Sequence, residues 1–245
     1  AATQFLTSND NITFATGNIE LANGSDLTVD TGAEGGNITI GEIDGASQET
    51  VTLDAGTGTT SVGVIGSGTE IGVLTIGSSD NGGITLNGAI TTDGAVTIDG
   101  PVTLATGAVS VTTANDAISF NHSIDGGQTL TLSSGSAAIT FTGALGASTS
   151  LGGLTVNSAG AGNITFSSTI GDAENAGVVG TTAIGNAATN DLNFNSTIYS
   201  FNGATTITAK SGDTIDLGAG AATQFLTSND NITFATGNIE LANGS

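Results

Sequence analysis

Residues 125–146 read DGGQTLTLSSGSAAITFTGALG, and residues 150–171 read SLGGLTVNSAGAGNITFSSTIG. Aligned, they set Leu130-Thr131-Leu132 against Leu154-Thr155-Val156, Ile139-Thr140-Phe141 against Ile164-Thr165-Phe166, and Leu145 against Ile170. One unit earlier lie Val109-Ser110-Val111, Ile118-Ser119-Phe120 and Ile124. Alternation with a period of two, filled by β-branched residues, is the pattern of a strand. Each triplet sends two apolar side chains one way and its polar centre the other. Three short strands recur about every 21–25 residues, near the length of one coil of a three-faced β-helix.

The same triplet, apolar–Thr–apolar, occurs twelve times before residue 221. Examples outside the quoted stretch are Ile12-Thr13-Phe14, Leu27-Thr28-Val29, Ile38-Thr39-Ile40, Val51-Thr52-Leu53, Ile84-Thr85-Leu86 and Val96-Thr97-Ile98. Leu192-Asn193-Phe194 and Ile215-Asp216-Leu217 keep the shape with another polar centre. Between triplets stand Gly, Asn, Asp and Ser, the residues of turns. The expected fold is all-β: one continuous parallel β-solenoid over residues 1–245, three-faced, with about ten coils of about 22 residues. Like residues then sit above like. Phe120, Phe141, Phe166 and Phe194 should form an internal stack, and the outward Thr residues should form ladders with their hydroxyls bonded along the stack. Asn11, Asn37 and Asn163, each before a strand, suit an Asn ladder at a corner. Residues 56–72 and 171–191 break the rhythm and read as coils with bulged corners or loops.

A longer repeat encloses the short one. Residues 1–25 read AATQFLTSNDNITFATGNIELANGS, and residues 221–245 are identical to them. Residues 1–220 are thus one block and residues 221–245 the start of the next. A solenoid exposes unpaired strands at its terminal coils, and natural solenoids cover them with caps. Neither terminus here reads as a cap. The expectation is continuation by a further block, within one giant chain or by end-to-end stacking, with a block length of about 48 Å at about 4.8 Å per coil.

Composition narrows the function. The chain has one Lys or Arg against 22 Asp and Glu, a formal net charge of −21. Without cations it cannot neutralise phosphates, which argues against nucleic acid and against an anionic membrane surface. With no Cys and one His, the preferred ligands of zinc are missing and disulfides are impossible. No run approaches the roughly 18 apolar residues of a membrane span. Only 9% of residues are charged and mean hydropathy is +0.22, so the chain is not of the disordered class. Enzymes of acidic polysaccharides need Arg or Lys to neutralise the substrate, and Lys210 is the sole such side chain. The chain reads as a non-enzyme, with no catalytic or cofactor-binding residue.

The quoted runs, with the Gly-Asn-Ile corners at Gly17-Asn18-Ile19, Gly36-Asn37-Ile38 and Gly162-Asn163-Ile164, resemble the repeats of large secreted bacterial surface proteins. These are the filamentous-haemagglutinin-like and autotransporter-type adhesins. The resemblance implies a right-handed β-helix and an extracellular or cell-surface setting. The first functional expectation is the structural repeat region of a fibre or stalk, whose partner is itself, coil upon coil. The second is an adhesin whose repeats bind a glycan or a partner cell; only Tyr199 and Phe201 hint at the aromatic patch this wants. The third is a calcium-dependent matrix or surface-layer protein.

For that third reading the acidic corners are Asp26 with Asp30, Asp213 with Asp216, and Asp10 with Asn9 and Asn11. No EF-hand loop or glycine-rich calcium nonapeptide accompanies them, and solvated turn carboxylates or diffuse cation binding is the simpler account. His122 reads as a solvated corner residue, and Lys210 as facing solvent or paired with a nearby Asp. The sequons at Asn11, Asn23, Asn37, Asn121, Asn163 and Asn195 arise in large part from Asn corners before apolar–Thr strands. Ice binding would want two outward Thr per strand; Thr129-Leu130-Thr131 and Thr206-Ile207-Thr208 supply too few.

Overall fold

The structure, a computed structural model, describes residues 2–77, 82–218 and 220–241. No helix occurs among them, and none is therefore long and apolar enough to cross a membrane. All strand pairings are parallel. The chain winds as a β-solenoid of about 10 turns.

Three faces follow one another in each turn. Face 1 is an 11-stranded sheet from Thr3–Leu6 through Leu27–Asp30, Val96–Asp99 and Ile139–Phe141 to Asn238–Leu241. Face 2 carries residues 12–14, Ile84–Leu86, Val102–Leu104 and Ile124–Asp125, narrows to single bridges at Leu145 and Ile170, and widens again at Ile198–Phe201. Face 3 carries Ile90–Thr92, Val109–Thr113, Thr129–Ser133, Gly153–Asn157, Thr182–Ile184 and Thr205–Thr208. In the first turns, faces 2 and 3 are one strand bent at a corner, as in Ile12–Glu20 and Ile38–Asp44.

The register expected from the sequence is the register found. Val109 lies beside Leu130 and Leu130 beside Leu154. Ile118, Ile139 and Ile164 align, as do Ile124, Leu145 and Ile170. The triplet ends point inward: Leu130, Leu132, Ile139 and Phe141 are buried, while Thr131 and Thr140 are not. Rings stack along face 1, with centroids 5.9 Å apart for Phe120–Phe141, 4.8 Å for Phe141–Phe166 and 5.3 Å for Phe166–Phe194.

Three details differ from the sequence reading, and one refines it. A turn averages about 24 residues, not 22. The compact middle turns advance 21 residues from Ile118 to Ile139, but the turn from Ile164 to Leu192 takes 28. Its extra length lies partly in a loop after Gly171, where the Asp172 N–H bonds the carbonyl of Asn175 at 2.9 Å. Second, both irregular stretches are coils of the solenoid, as read, and contain the strands Thr60–Ile65 and Thr182–Ile184. Buried Thr60 and Thr182 stand where the pattern wants an apolar residue, between Ile38 and Ile84 and between Leu154 and Thr205, which hid them. Third, the row Thr28, Thr52, Thr75, Thr97, Ser119, Thr140, Thr165 is present, but no bond joins two Thr hydroxyls of successive turns among the described residues. Side chains of aligned residues on successive strands stand about 4.8 Å apart, too far for an O–H···O bond of about 2.8 Å unless they lean towards each other. The longer Asn193 amide spans the gap, donating to Thr165 Oγ1 at 3.2 Å.

Fourth, Tyr199 and Phe201 are core residues, 0% and 1% exposed, so they offer no aromatic patch to a ligand. Burial raises the Tyr199 phenol well above its usual range, against the Ser196 N–H that its oxygen accepts at 2.8 Å.

Glycine is demanded where backbones cross closely. A Cβ on Gly180 would stand 1.9 Å from the carbonyl oxygen of Gly152, and one on Gly203 would stand 2.3 Å from that of Gly180. Gly77 turns a corner at φ 90°, a conformation L side chains rarely adopt.

Candidate functional site

The outward polar groups serve the stack first. Asn11 Oδ1 accepts the Asn37 N–H at 2.8 Å, and Asn37 Oδ1 accepts the Thr59 N–H at 2.9 Å. Asn163 Oδ1 accepts from the Asp191 N–H at 3.3 Å, and Asp191 Oδ1 accepts the Thr214 N–H at 3.0 Å. Of the expected Asn ladder only Asn11 and Asn37 are joined to each other; the rungs run from side-chain oxygens of one turn to backbone amides of the next, and Thr59, Asp191 and Thr214 are the other partners.

The acidic corners do similar work. Asp26 Oδ1 accepts the Thr50 N–H of the next turn at 2.8 Å. Asp30 and Asp54, in register, each accept the N–H two residues on, from Gly32 at 2.7 Å and Gly56 at 2.9 Å. Asp125 Oδ1 takes two amides, Ser148 at 2.8 Å and Thr149 at 2.9 Å. Asp216 stands in the outward row of face 1 beside Asn193, and Asp213 pairs with Lys210 at 3.1 Å. The Asp10 carbonyl accepts the Thr7 hydroxyl at 2.6 Å, and Asn9 adopts φ 70°. Among the described residues no three His, Asp or Glu side chains converge in a way that could hold a metal ion.

Glu49 stands apart, and nothing in the turn residues before it, Ala46-Ser47-Gln48, announces it in the sequence. Its carboxylate is fully buried. Oε2 accepts the Ala46 N–H at 2.7 Å and the Gln48 N–H at 3.1 Å, while Oε1 accepts the Gly24 N–H of the preceding turn at 3.0 Å. Burial works against ionisation, but the amides outweigh it and hold the carboxyl below its usual range. At Asp44, too, burial is outweighed, by the Gly68 amide and the Asn18 side chain above all. Asp172 is lowered by the amides of Glu174 and Asn175 and by the Asn175 side chain. Such lowered carboxyls are caps of turns; none is poised near neutrality for acid–base chemistry.

The two basic side chains lie in surface pairs. His122 Nε2 is 3.4 Å from Asp99 Oδ1, and Lys210 Nζ also lies 3.4 Å from Asn190 Oδ1. The sequons at Asn11, Asn37 and Asn163 fall on ladder residues, with their amide oxygens engaged as above. The second Thr file of face 3 is interrupted, since Thr129 aligns with Gly153.

The copied segment gives the most informative geometry. In the first copy, Phe5 aligns with Val29 on face 1, Phe14 with Ile40 on face 2 and Ile19 with Ile43 on face 3. In the second, Phe225 aligns with Tyr199 on face 2, Phe234 with Ile207 on face 3 and Ile239 with Ile215 on face 1. The same residues point inward in both copies, yet each strand has moved on by one face. Residues 242–245 of the second copy lie outside the described residues.

Compared with known protein families, with curated proteins and with solved structures, the chain matches none.

Proposed function

We propose that this chain is a structural segment of an extracellular fibre or cell-surface stalk, made by reiterating the 220-residue block and acting through its shape, without catalysis. One observation carries the reading. The second copy of residues 1–25 is laid onto the preceding turn as an ordinary continuation, with three parallel pairings and Phe225 packed on the core rings Tyr199 and Phe194. A block therefore passes into its own repetition without a linker or a cap between them. The principal partner is the chain itself. The net charge of −21 keeps neighbouring rods apart and disfavours nucleic acid. The cell-surface setting is supported by the resemblance of the Gly-Asn-Ile corners and triplets to secreted surface repeats. Adhesion by the repeats loses its aromatic support with Tyr199 and Phe201 in the core. A calcium-dependent role is weakened because Asp26, Asp30 and Asp54 each commit an oxygen to a backbone amide.

Electron microscopy of chains carrying one, two and three blocks tests the proposal. Straight rods that lengthen by about 45 Å per block, at about 4.8 Å per turn, are expected. Beads on a flexible string, or particles whose length does not grow with block number, would sink it.

A further inference from the structure

On the reading that the block is reiterated, we infer that each block docks on the turn formed by residues 198–217 of the block before it. Phe5 is then seated on Tyr199, Phe14 on Ile207 and Ile19 on Ile215, and every junction turns the block by one face. The partner is a second copy of this sequence, and the chain displays both halves of the contact. The first copy shows what lies on one side of the segment, residues 27–44. The identical second copy shows what lies on the other side, residues 198–217.

The rings agree with this. Phe5 and Phe14 meet edge-on at 4.9 Å, and their twins Phe225 and Phe234 meet edge-on at 5.3 Å, so the segment keeps its internal packing. Phe5 is 39% exposed. Phe225 is covered by Tyr199 at 5.1 Å and Phe194 at 5.3 Å. The side of Phe5 that stands open is the side those rings fill in the other copy.

The rotation follows from counting. Ten steps of the 11-stranded sheet lead from Thr3–Leu6 to Asn238–Leu241. Ile19 lies two faces beyond the first of these strands, so from Ile19 to Ile239 the chain makes ten turns less two thirds, about nine and one third. A 220-residue block is therefore not a whole number of turns. The outward row that begins with Thr28 on face 1 stands on face 2 in the next block and on face 3 in the third. Orientation is restored after three blocks, about 28 turns or about 134 Å at about 4.8 Å per turn.

The native chain contains this junction and no cysteine, so introduced cysteine pairs read it directly. Asp216 and Glu240 are outward neighbours on face 1, with Cα atoms at the spacing of adjacent strands, within disulfide reach. Had the copy kept its own faces, Ile239 would stand in the face 3 column that ends at Ile207, and Glu240 would lie over Thr208. The expected result is oxidative crosslinking of Asp216→Cys with Glu240→Cys and none of Thr208→Cys with Glu240→Cys. Thr97→Cys with Ser119→Cys, neighbours inside the block, reports that the chain is folded. The opposite preference, or crosslinking of the internal pair alone, overturns the inference. Rod length by microscopy is read separately: rods that grow with block number but crosslink through Thr208 would leave the fibre standing and remove the rotation. Crosslinking through Asp216 in chains that form no rods would do the reverse.

Discussion

The rings of Phe141 and Phe166 lie 4.8 Å apart and within 7° of parallel. They come from turns 25 residues apart in sequence, brought into register because Ile139 aligns with Ile164 and Phe141 with Phe166. Parallel pairing places each ring over its counterpart, and the column runs on to Phe120 and Phe194. Offset stacking of this kind adds about 0.5–1.5 kcal/mol per pair to the burial of the rings themselves.

Phe141 has a ring on either side, Phe120 and Phe166, so its truncation opens a gap inside the column. Phe141→Ala should destabilise the solenoid by about 3–5 kcal/mol, and Phe141→Leu by less. Urea unfolding followed by circular dichroism checks this; equal losses for the two variants would show that the cavity left behind does not set the cost.

Glu49 predicts an acid-sensitive corner. Its folded carboxyl is held below the ordinary range, so the charged form favours folding above about pH 4.3, the ordinary glutamate value. That contribution fades as pH falls through the lower, folded value. Glu49→Gln should lower stability at pH 7 by about 1–3 kcal/mol, since one oxygen must serve amides that now have two. It should also lose less than the native chain between pH 7 and pH 3. Parallel pH dependences for the two proteins would refute the assignment.

Thr182 is buried with its hydroxyl unpartnered, between Leu154 and Thr205. Thr182→Val keeps the shape and removes the unmet group, and should raise stability by about 1 kcal/mol. A lower thermal midpoint would mean that the hydroxyl has a partner after all.

Gly180 and Gly127 make a matched pair. Alanine at Gly180 would drive a methyl to 1.9 Å from the Gly152 carbonyl, and a loss of about 1–3 kcal/mol is expected. At Gly127 an added Cβ meets nothing within 4 Å, and φ is not positive, so alanine should be neutral or gain up to about 1 kcal/mol. Thermal melts of both variants decide it.

Most of the solenoid could be read from the chain because parallel, in-register stacking writes itself as alternation. Leu130-Thr131-Leu132 over Leu154-Thr155-Val156 needs no tertiary knowledge. What escaped were places where a turn departs from that rule. Inward Thr60 and Thr182 interrupt the apolar pattern, so their strands did not show as triplets. Glu49 has no pattern at all: a glutamate between Gln48 and Thr50 reads as surface, and only the amides of Gly24, Ala46 and Gln48 converging on it make it a core residue. Tyr199 and Phe201 looked available because the sequence around them lacks the triplet; the bridges from Ile170 and Val178 draw them inward. The face shift between the two copies was invisible, since it depends on the lengths of every turn between them.

The corner at Lys210 has a consequence for handling the material. Lys210 is the only lysine and there is no arginine, so trypsin has a single cleavage site in these 245 residues. That site is tied to Asp213 at 3.1 Å and lies beside Asn190, on a turn whose backbone is anchored by the Lys210 N–H to the Thr189 carbonyl at 2.7 Å. On the proposed reiteration, a tandem array digested with trypsin after denaturation would yield internal fragments of one length, the 220 residues of the repeat.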